Sequence, residues 1–462
     1  MITLRPPSQP LPKDALVSDE LLRVTNIRVE KLFHLYTHAV ELNLKDRITI
    51  IHGPNGVGKT VLFRLIAALL SGRLPDIFKI PFDLFTIGLS DGATVSIDKH
   101  RERSKLSGAD INVRLIYRPS GGQESIIELK GDGMDSLHWA KRIAMEFSWL
   151  TRTDETHWHD RRNEDFLTAE EVCQRYSDQL PGKLRKMSVP EEPEWLHIIR
   201  KHVSVHLIET QRLLGPMPTG DLRFHLTRRP QIVTTVGEYA KDLQRRISET
   251  LADYGKQSQS LDQTFPQRLL KKSIPALDPE ALRTKMSELE SKRRRLKAIG
   301  LIEDDPANPF DLETLDTLDA NVMTLYVDDT AKKLGVLDDL AKRTELLIKN
   351  VGRKFKHKSV RIDRENGLQA IGDDGERLAL DDLSSGEQHQ LVLLYDLLFR
   401  VKPDTLVLID EPELSLHVTW QQSFLNDLSE IVATANFDVL LATHSPFIIG
   451  DRSDLMVSLS DQ

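Results

Sequence analysis

Eight consecutive residues, 53–60, have types and spacing that could bind the phosphates of a nucleotide. They read Gly-Pro-Asn-Gly-Val-Gly-Lys-Thr and match the G-x-x-x-x-G-K-[ST] phosphate loop at every fixed position. Backbone N–H groups in such a loop turn inward around phosphates, and the following helix adds the positive end of its dipole. We expect Lys59 to reach the β- and γ-phosphates of ATP and Thr60 to hold Mg²⁺. The predicted cofactor-binding residues of this loop are Gly53, Pro54, Asn55, Gly56, Val57, Gly58, Lys59 and Thr60.

The segments around this loop bear on whether it binds a ligand or only turns the chain. Ile48, Ile50 and Ile51 predict an apolar strand before it, and residues 61–70 predict a buried helix after it. A glycine-rich turn without a ligand is the alternative interpretation. The Lys-Thr pair at the required offset and three motifs downstream favour the phosphate loop.

A pair of acidic residues follows a second apolar strand. Residues 405–409 are almost wholly apolar and run directly into Asp410 and Glu411. Asp410 is the natural carboxylate on the Mg²⁺ side, and Glu411 is placed to polarise the attacking water as a general base. A strand that ends in an exposed acidic turn is the alternative, and it is weak beside a phosphate loop.

His444 stands at the end of a third apolar strand. Residues 439–443 form this strand, and ligands of open α/β sheets bind at the carboxyl ends of the strands. A lone histidine in this place could be structural. Together with the other motifs, a contact to the γ-phosphate is the better interpretation, so His444 joins Glu411 among the candidate catalytic residues.

A further anion-binding motif lies at residues 383–388, which precede an apolar helix. The sequence Ser384-Ser385-Gly386-Glu387 offers hydroxyls and free N–H groups at a helix start, where an anion is stabilised. We therefore include these four residues among the predicted cofactor-binding residues. Because the chain already has one phosphate loop, this second site is expected to serve the nucleotide of another subunit.

Composition bounds the class of protein. The chain has 462 residues, enough for two or three domain-sized pieces, and its net charge of −8 argues against coating nucleic acid by net charge alone. Cys173 is the single cysteine, so an internal disulfide and a thiolate metal cluster are excluded. No apolar run approaches membrane-spanning length, and the prediction is a cytoplasmic protein that does not bind membranes.

The segments between the motifs differ in pattern. Residues 1–20 are rich in proline and predict a loose arm, and residues 85–129 alternate like an antiparallel meander. Residues 235–356 place apolar side chains at heptad-like positions, and prolines at 306–309 interrupt them, which predicts a helical hairpin.

Two basic runs lie on this predicted helical arm, at residues 292–297 and 349–358. Such runs are usually solvated faces of a helix. A contact to a phosphate backbone is the alternative, and it leaves nucleic acid open as a partner.

The motifs at 53–60, 383–388, 406–411, 415–417 and 443–444 resemble the Walker A, signature, Walker B, D-loop and H-loop of ABC-type ATPases. They are closest to the SMC/RecF/OLD-like branch, often labelled AAA family ATPase. The resemblance covers residues 22–72, 203–212 and 360–450.

The resemblance implies a fold and an assembly. The expected fold class is α/β, an ABC-type P-loop NTPase with a mixed central sheet, an N-terminal antiparallel β meander and a short helical-hairpin insertion. Gln211, just after the strand near 203–208, is implied as a contact of Mg²⁺ and of the attacking water, although a structural role is equally compatible. Head-to-tail assembly is also implied, in which Ser385 and Gly386 of one subunit close on ATP held by Lys59 of another.

The same resemblance divides the chain after the N-terminal arm. Residues 21–215 are expected to form a first ATPase lobe with the β meander and a helical insert. Residues 216–358 form the helical arm, and residues 359–462 form a second ATPase lobe with the signature, Walker B, D-loop and H-loop motifs.

The implied activity is hydrolysis of ATP in the presence of Mg²⁺ by a homo-oligomer that is at least a dimer. ATPases of this size in the branch resemble subunits of anti-phage systems such as Septu or PARIS, so a separate nuclease or toxin is the expected effector partner. A RecF-like DNA repair ATPase is the alternative. A structural scaffold with an inactive ATPase is disfavoured, because Lys59, Asp410 and Glu411 are all present.

Overall fold

The computed structural model describes residues 22–71, 77–78, 80–102, 110–130, 136–147, 149–154, 157–161, 165–168, 172, 176, 193–208, 235–271, 275–302 and 320–459. The predictions for residues 1–20, Gln211 and the proline break at 306–309 lie outside these ranges.

The strands, in chain order, are β1 (Val24–Leu32), β2 (Tyr36–Glu41), β3 (Ile48–His52), β4 (Leu84–Leu89), β5 (Thr94–Glu102), β6 (Asp110–Arg118), β7 (Ser125–Lys130), β8 (Leu150–Arg152), β9 (His157–Asp160), β10 (Asp165–Thr168), β11 (Val205–Ile208), β12 (Lys358–Asp363), β13 (Gly367–Gly372), β14 (Arg377–Leu378), β15 (Leu406–Asp410), β16 (Asp438–Ala442) and β17 (Met456–Ser458). The α-helices are α1 (Lys59–Ser71), α2 (Ser136–Glu146), α3 (Glu194–His202), α4 (Thr235–Leu270), α5 (Pro279–Ala298), α6 (Ala320–Gly335), α7 (Asp338–Gly352), α8 (Ser385–Tyr395), α9 (Val418–Ala435) and α10 (Pro446–Ile449).

Five strands form a parallel sheet in the order β11-β15-β16-β3-β17. Strands β3, β15 and β16 are apolar along most of their length because both faces of this sheet are covered. Side chains alternate between two hydrophobic cores: Ile50 and Ile409 belong to one, and Ile51 and Leu408 belong to the other. The parallel sheet therefore separates the two hydrophobic cores. Because its strands are parallel, their carboxyl ends all lie at one edge of the sheet.

The second large sheet is antiparallel and has the order β2-β1-β4-β5-β6-β7. The predicted meander is confirmed as β4 to β7, and pairing of β1 with β4 joins the first hairpin to it. Val24, Ile27, Val29 and Leu32 of β1 are buried in the core that also holds α1. The predicted α/β fold class is thus confirmed, but the central sheet, predicted to be mixed, is parallel in the described residues, and the antiparallel strands lie in separate sheets.

The predicted helical arm contains α4, α5, α6 and α7. The apolar heptad-like positions of α5 are buried, at Leu282, Met286, Leu289 and Leu296. Helix α4, at 36 residues, extends about 54 Å at 1.5 Å per residue. Arg268 at its end forms a two-pronged ion pair with Asp329 of α6, at 2.5 and 2.7 Å. A hairpin of two helices was expected in this arm. The structure adds a third and longer helix, α4, which contacts α6 through this ion pair.

The two basic runs on this arm are largely engaged in ion pairs within the chain. Lys292 of α5 lies 2.7 Å from Asp338 of α7, and Arg295 pairs with Glu345 of the same helix. In the second run, Lys349 pairs with Glu430 at 2.6 Å, Lys354 with Asp427 at 2.7 Å, and Lys358 with Glu387 at 2.9 Å. These cations bind neighbouring elements of the fold, which favours a structural role over phosphate-backbone contacts.

The first turns of α4 are joined to the end of α8 by two reciprocal hydrogen bonds. Tyr239 donates to Asp396 at 2.6 Å, and Tyr395 donates to Asp242 at 2.8 Å. The two tyrosine rings stack with centroids 4.6 Å apart. Although burial opposes it, hydrogen bonds from Arg246, Arg245 and Tyr395 lower the pKa of Asp242 to about 2.

We expect Asp242→Ala to lower the free energy of unfolding by about 1–3 kcal/mol, because it leaves the Tyr395 hydroxyl without its acceptor. The folded pKa of Asp242 lies below its ordinary 3.8, so its contribution is complete above pH 4 and is lost as pH falls toward 2. Urea denaturation at several pH values measures both effects. Asp253→Ala, which removes an exposed ion pair on the same helix, is the control; equal losses in the two variants would contradict the prediction.

No α-helix in the described ranges has both the length and the apolar character needed to cross a membrane.

Candidate functional site

The phosphate loop connects the end of β3 to the first residue of α1, Lys59. Gly56 and Gly58 have φ values of +88° and +94°, which L side chains rarely adopt. A Cβ at Gly58 would also lie 2.5 Å from Leu32 Cδ2, so the hairpin of β1 and β2 packs directly against the loop. The spacing of the glycines therefore allows both the turn of the loop and the close approach of Leu32. Pro54, Asn55 and Gly56 of the loop are exposed to solvent.

A buried histidine supports the loop from the antiparallel sheet. His38 of β2 is 2% exposed, and its Nε2 donates to the backbone carbonyl of Val57 at 2.8 Å. His38 belongs to none of the sequence motifs. Its only signal is a polar side chain at an inward position of an alternating strand.

Lys59 is nearly buried, with 5% of its surface exposed. Its Nζ donates to the carbonyls of Gly53 at 2.9 Å and Pro54 at 3.0 Å, and lies 2.5 Å from His444 Nε2. Because an ammonium group can only donate, Nε2 of His444 is the acceptor in this contact. Burial lowers the pKa of Lys59, and the nearby carboxylates of Glu411, Asp410 and Glu413 oppose that shift.

The two predicted acids lie at the end of β15, at the same edge of the parallel sheet as the phosphate loop. Asp410 is its last residue and is 8% exposed. Glu411 follows in a left-handed conformation, with φ 43° and ψ 57°, and its N–H donates to the carbonyl of Ala442 at 2.9 Å. Glu411 Oε1 lies 3.6 Å from His444 Nε2. Three predicted site residues from separate elements thus meet in the order Lys59, His444, Glu411.

The signature motif lies at the start of α8, and its contacts are with other residues than those around the phosphate loop. The Ser384 hydroxyl and backbone N–H both donate to Glu387 Oε2 at 2.8 Å, and Ser384 Oγ accepts from the Glu387 N–H at 3.4 Å, which is a capping box. Lys358 also pairs with this carboxylate. Ser385 itself is exposed, and a Cβ on Gly386 would lie 3.9 Å from Trp420 in α9.

The contacts of Glu387 refine the prediction made for it. Burial opposes the change, but hydrogen bonds from Lys358 and Ser384 lower the pKa of Glu387, so the carboxylate stays charged within the cap. We expect Glu387 to act by fixing the start of α8, which leaves Ser385 and the Gly386 N–H as the groups that face outward.

The residues of this edge fit a nucleotide and its Mg²⁺ by the chemistry of their donors. The loop offers N–H groups and a buried cation, which suit phosphate oxygens. The Thr60 hydroxyl and the Asp410 carboxylate are hard oxygen ligands of the kind that Mg²⁺ prefers. Gln211, the third predicted metal contact, lies outside the described residues, beyond the end of β11.

Two protein-family models match the chain. A model described as "AAA domain, putative AbiEii toxin, Type IV TA system" matches residues 242–450. A model described as "AAA domain" matches residues 30–187.

Two solved structures of SMC heads are similar to most of the chain. An SmcHead bound to the C-winged helix domain of ScpA is 10% identical, with 94% of this chain and 93% of that chain covered and a TM-score of 0.32. The SMC head domain from Thermotoga maritima is 12% identical, with 94% of each chain covered and a TM-score of 0.29.

The two AAA-domain matches together include every predicted site residue except Gln211. They support an ATP-binding ATPase of the AAA-domain class.

Proposed function

We propose that this chain binds ATP with Mg²⁺ and hydrolyses it to ADP and phosphate. The observation that carries the proposal is the run of contacts from Lys59 through His444 to Glu411 at the carboxyl edge of the parallel sheet. It brings a phosphate-binding cation, a hydrogen-bonding imidazole and a carboxylate base together, as attack of water on a terminal phosphate requires.

Each residue of this run has a proposed role. Lys59 exchanges the carbonyls of Gly53 and Pro54 for phosphate oxygens when the nucleotide arrives. Glu411 accepts a proton from the attacking water, and His444, released from Lys59 and in the tautomer that carries a proton on Nε2, donates to the terminal phosphate. Thr60 and Asp410 would hold Mg²⁺, which would supply positive charge beside the phosphate oxygens.

We expect Lys59→Ala to weaken ATP binding by about 1.5–3 kcal/mol, which corresponds to a Kd that is roughly 10- to 150-fold higher. The reason is the loss of a charge-assisted contact to phosphate at a nearly buried position. Calorimetric titration with ATP and Mg²⁺ measures the change. Lys402→Ala, at an exposed lysine, is the matched control. Equal affinities of Lys59→Ala and wild type would refute the proposed phosphate loop.

We further propose that two copies assemble head to tail around ATP. The signature residues support this, because Ser385 is exposed at the start of α8 and is therefore accessible to a second copy. Three exposed apolar side chains lie on segments beside the site: Leu414 at 69%, Val418 at 50% and Phe447 at 49%. Exposed apolar groups next to a site are typical of an interface, and a second copy would cover them.

For the biological role, we propose control of a separate nuclease or toxin in anti-phage defence. The description of the family that matches residues 242–450 reads "putative AbiEii toxin, Type IV TA system", which associates this kind of domain with toxin systems but gives the domain itself, not a separate effector, as the toxin. Expression with the product of the adjacent gene, followed by affinity purification and a phage plaque assay, tests the proposal. Loss of protection in Lys59→Ala is expected; full protection by that variant would refute it. The RecF-like alternative gains no support from the arm, whose basic runs pair with carboxylates of the same chain.

A further inference from the structure

One carboxylate outside the predicted motif roles contacts the whole segment that carries His444. Glu413 lies in the short turn Pro412–Ser415 that follows β15. Its Oε1 accepts from Thr443 Oγ1 at 2.8 Å, from the His444 N–H at 2.6 Å and from the Ser445 N–H at 3.2 Å. Three consecutive residues, 30 or more positions away in sequence, therefore converge on a single oxygen atom.

A second set of hydrogen bonds, made by Gln421 of α9, holds the turn and the segment 443–445 together. Gln421 Nε2 donates to the carbonyls of Leu416 at 3.1 Å and Glu413 at 3.3 Å. Ser445 Oγ donates to Gln421 Oε1 at 2.7 Å. The segment 443–445 is thus held by the turn on one side and by α9 on the other.

The chemistry of this contact favours a carboxylate over an amide. A carboxylate oxygen only accepts, and its charge strengthens hydrogen bonds from N–H and O–H donors. The other oxygen, Oε2, is buried and has no hydrogen-bond partner among the described residues. A glutamine would place an NH₂ group in that position, and its donors would be unsatisfied or would turn toward 443–445 and repel the N–H groups there.

We propose that Glu413 is the positioning residue for His444, an inference that rests on the proposed ATPase function. His444 lies 2.5 Å from Lys59 and 3.6 Å from Glu411, so a shift of its backbone changes both distances. Glu411 immediately precedes the turn that contains Glu413. The Glu413 carboxylate therefore fixes the imidazole relative to the base through residues 443–445, and the mechanism proposed above gives it no contact with ATP or water.

The test is a double-mutant cycle on ATP turnover. We expect Glu413→Gln to lower kcat about 10- to 100-fold, as a misplacement near 1 Å does, with the Kd for ATP within about twofold of wild type. In a His444→Ala background the same change should cost less than about twofold, because the group that it positions is gone. Glu430→Gln, which changes an exposed carboxylate of α9, is the matched control and should leave kcat unaltered.

Thr443→Val is a smaller change that keeps the carboxylate and removes one of its donors. It should lower kcat by a few fold with His444 present and not at all with His444→Ala. This variant decides the question if Glu413→Gln lowers the melting temperature.

Equal losses of kcat in both backgrounds would overturn the inference, as would wild-type turnover in both Glu413→Gln and Thr443→Val. A wild-type chain that binds no ATP or does not hydrolyse it would instead refute the proposed function, and the inference with it.

Discussion

ATP turnover by Glu411→Gln should fall about 10²–10⁴-fold, the usual cost of removing a general base, while ATP continues to bind. Glutamine has the size of glutamate and can still hydrogen-bond water, but it cannot accept a proton. Asp410, Thr60 and Lys59 are unchanged in this variant, so the proposed contacts to Mg²⁺ and to the phosphates remain. The change therefore separates binding from hydrolysis.

Without hydrolysis, the proposed ATP-bound assembly should persist, since the terminal phosphate stays between Lys59 of one copy and Ser385 of the other. Light scattering in ATP should then show a larger and longer-lived oligomer for Glu411→Gln than for wild type. Phosphate release measures turnover in the same samples, with Glu430→Gln as a control that changes a carboxylate at an exposed ion pair. Near-normal turnover in Glu411→Gln would exclude Glu411 as the base and point to Gln211 or His444 as the group that positions the water.

Ser385→Arg should abolish turnover and nucleotide-dependent assembly while each monomer keeps its affinity for ATP. Ser385 is the first residue of α8, exposed, and next to the glycine that approaches Trp420. An arginine there would fill the space that the proposed partner's phosphates occupy. The capping box formed by Ser384 and Glu387 is untouched, so the helix itself should remain folded.

Mixing Ser385→Arg with Lys59→Ala tests the composite site directly. In a head-to-tail dimer of the two variants, one site has both halves intact and the other has neither. At equal amounts and random pairing, half of the dimers are mixed, so turnover should recover to about a quarter of the wild-type value. Calorimetry on Ser385→Arg alone confirms that ATP still binds. No recovery at any mixing ratio would count against a composite site.

Much of the fold is readable from local patterns. The alternation in residues 85–129 predicted strands that form β4 to β7, and the heptad-like positions of α5 are buried as expected. The candidate site is equally local in its first members: a phosphate loop between strand and helix, two acids after β15, and His444 after β16. Each of these signals is contained within about ten residues, because strand period, helix period and turn chemistry are short-range properties.

The contacts between these segments depend on the register of the parallel sheet. Pairing of β16 with β3 and β15 aligns three strand ends, which places His444 2.5 Å from Lys59, 385 residues earlier. The hydrogen bonds from residues 443–445 to Glu413 depend on the same pairing of β15 with β16, whereas the contact of His38 with Val57 depends on the packing of the antiparallel sheet against the phosphate loop.

The basic runs show the complementary case. Their charge was evident in the sequence, but only the packing of the helices and of β12 against the start of α8 decided that Lys292, Lys354 and Lys358 face carboxylates of the same chain. The sequence by itself determined which chemical groups this protein carries and on which local elements they stand. The tertiary structure decided which groups meet, because partners distant in sequence are selected by strand register and helix packing, which short-range patterns do not encode.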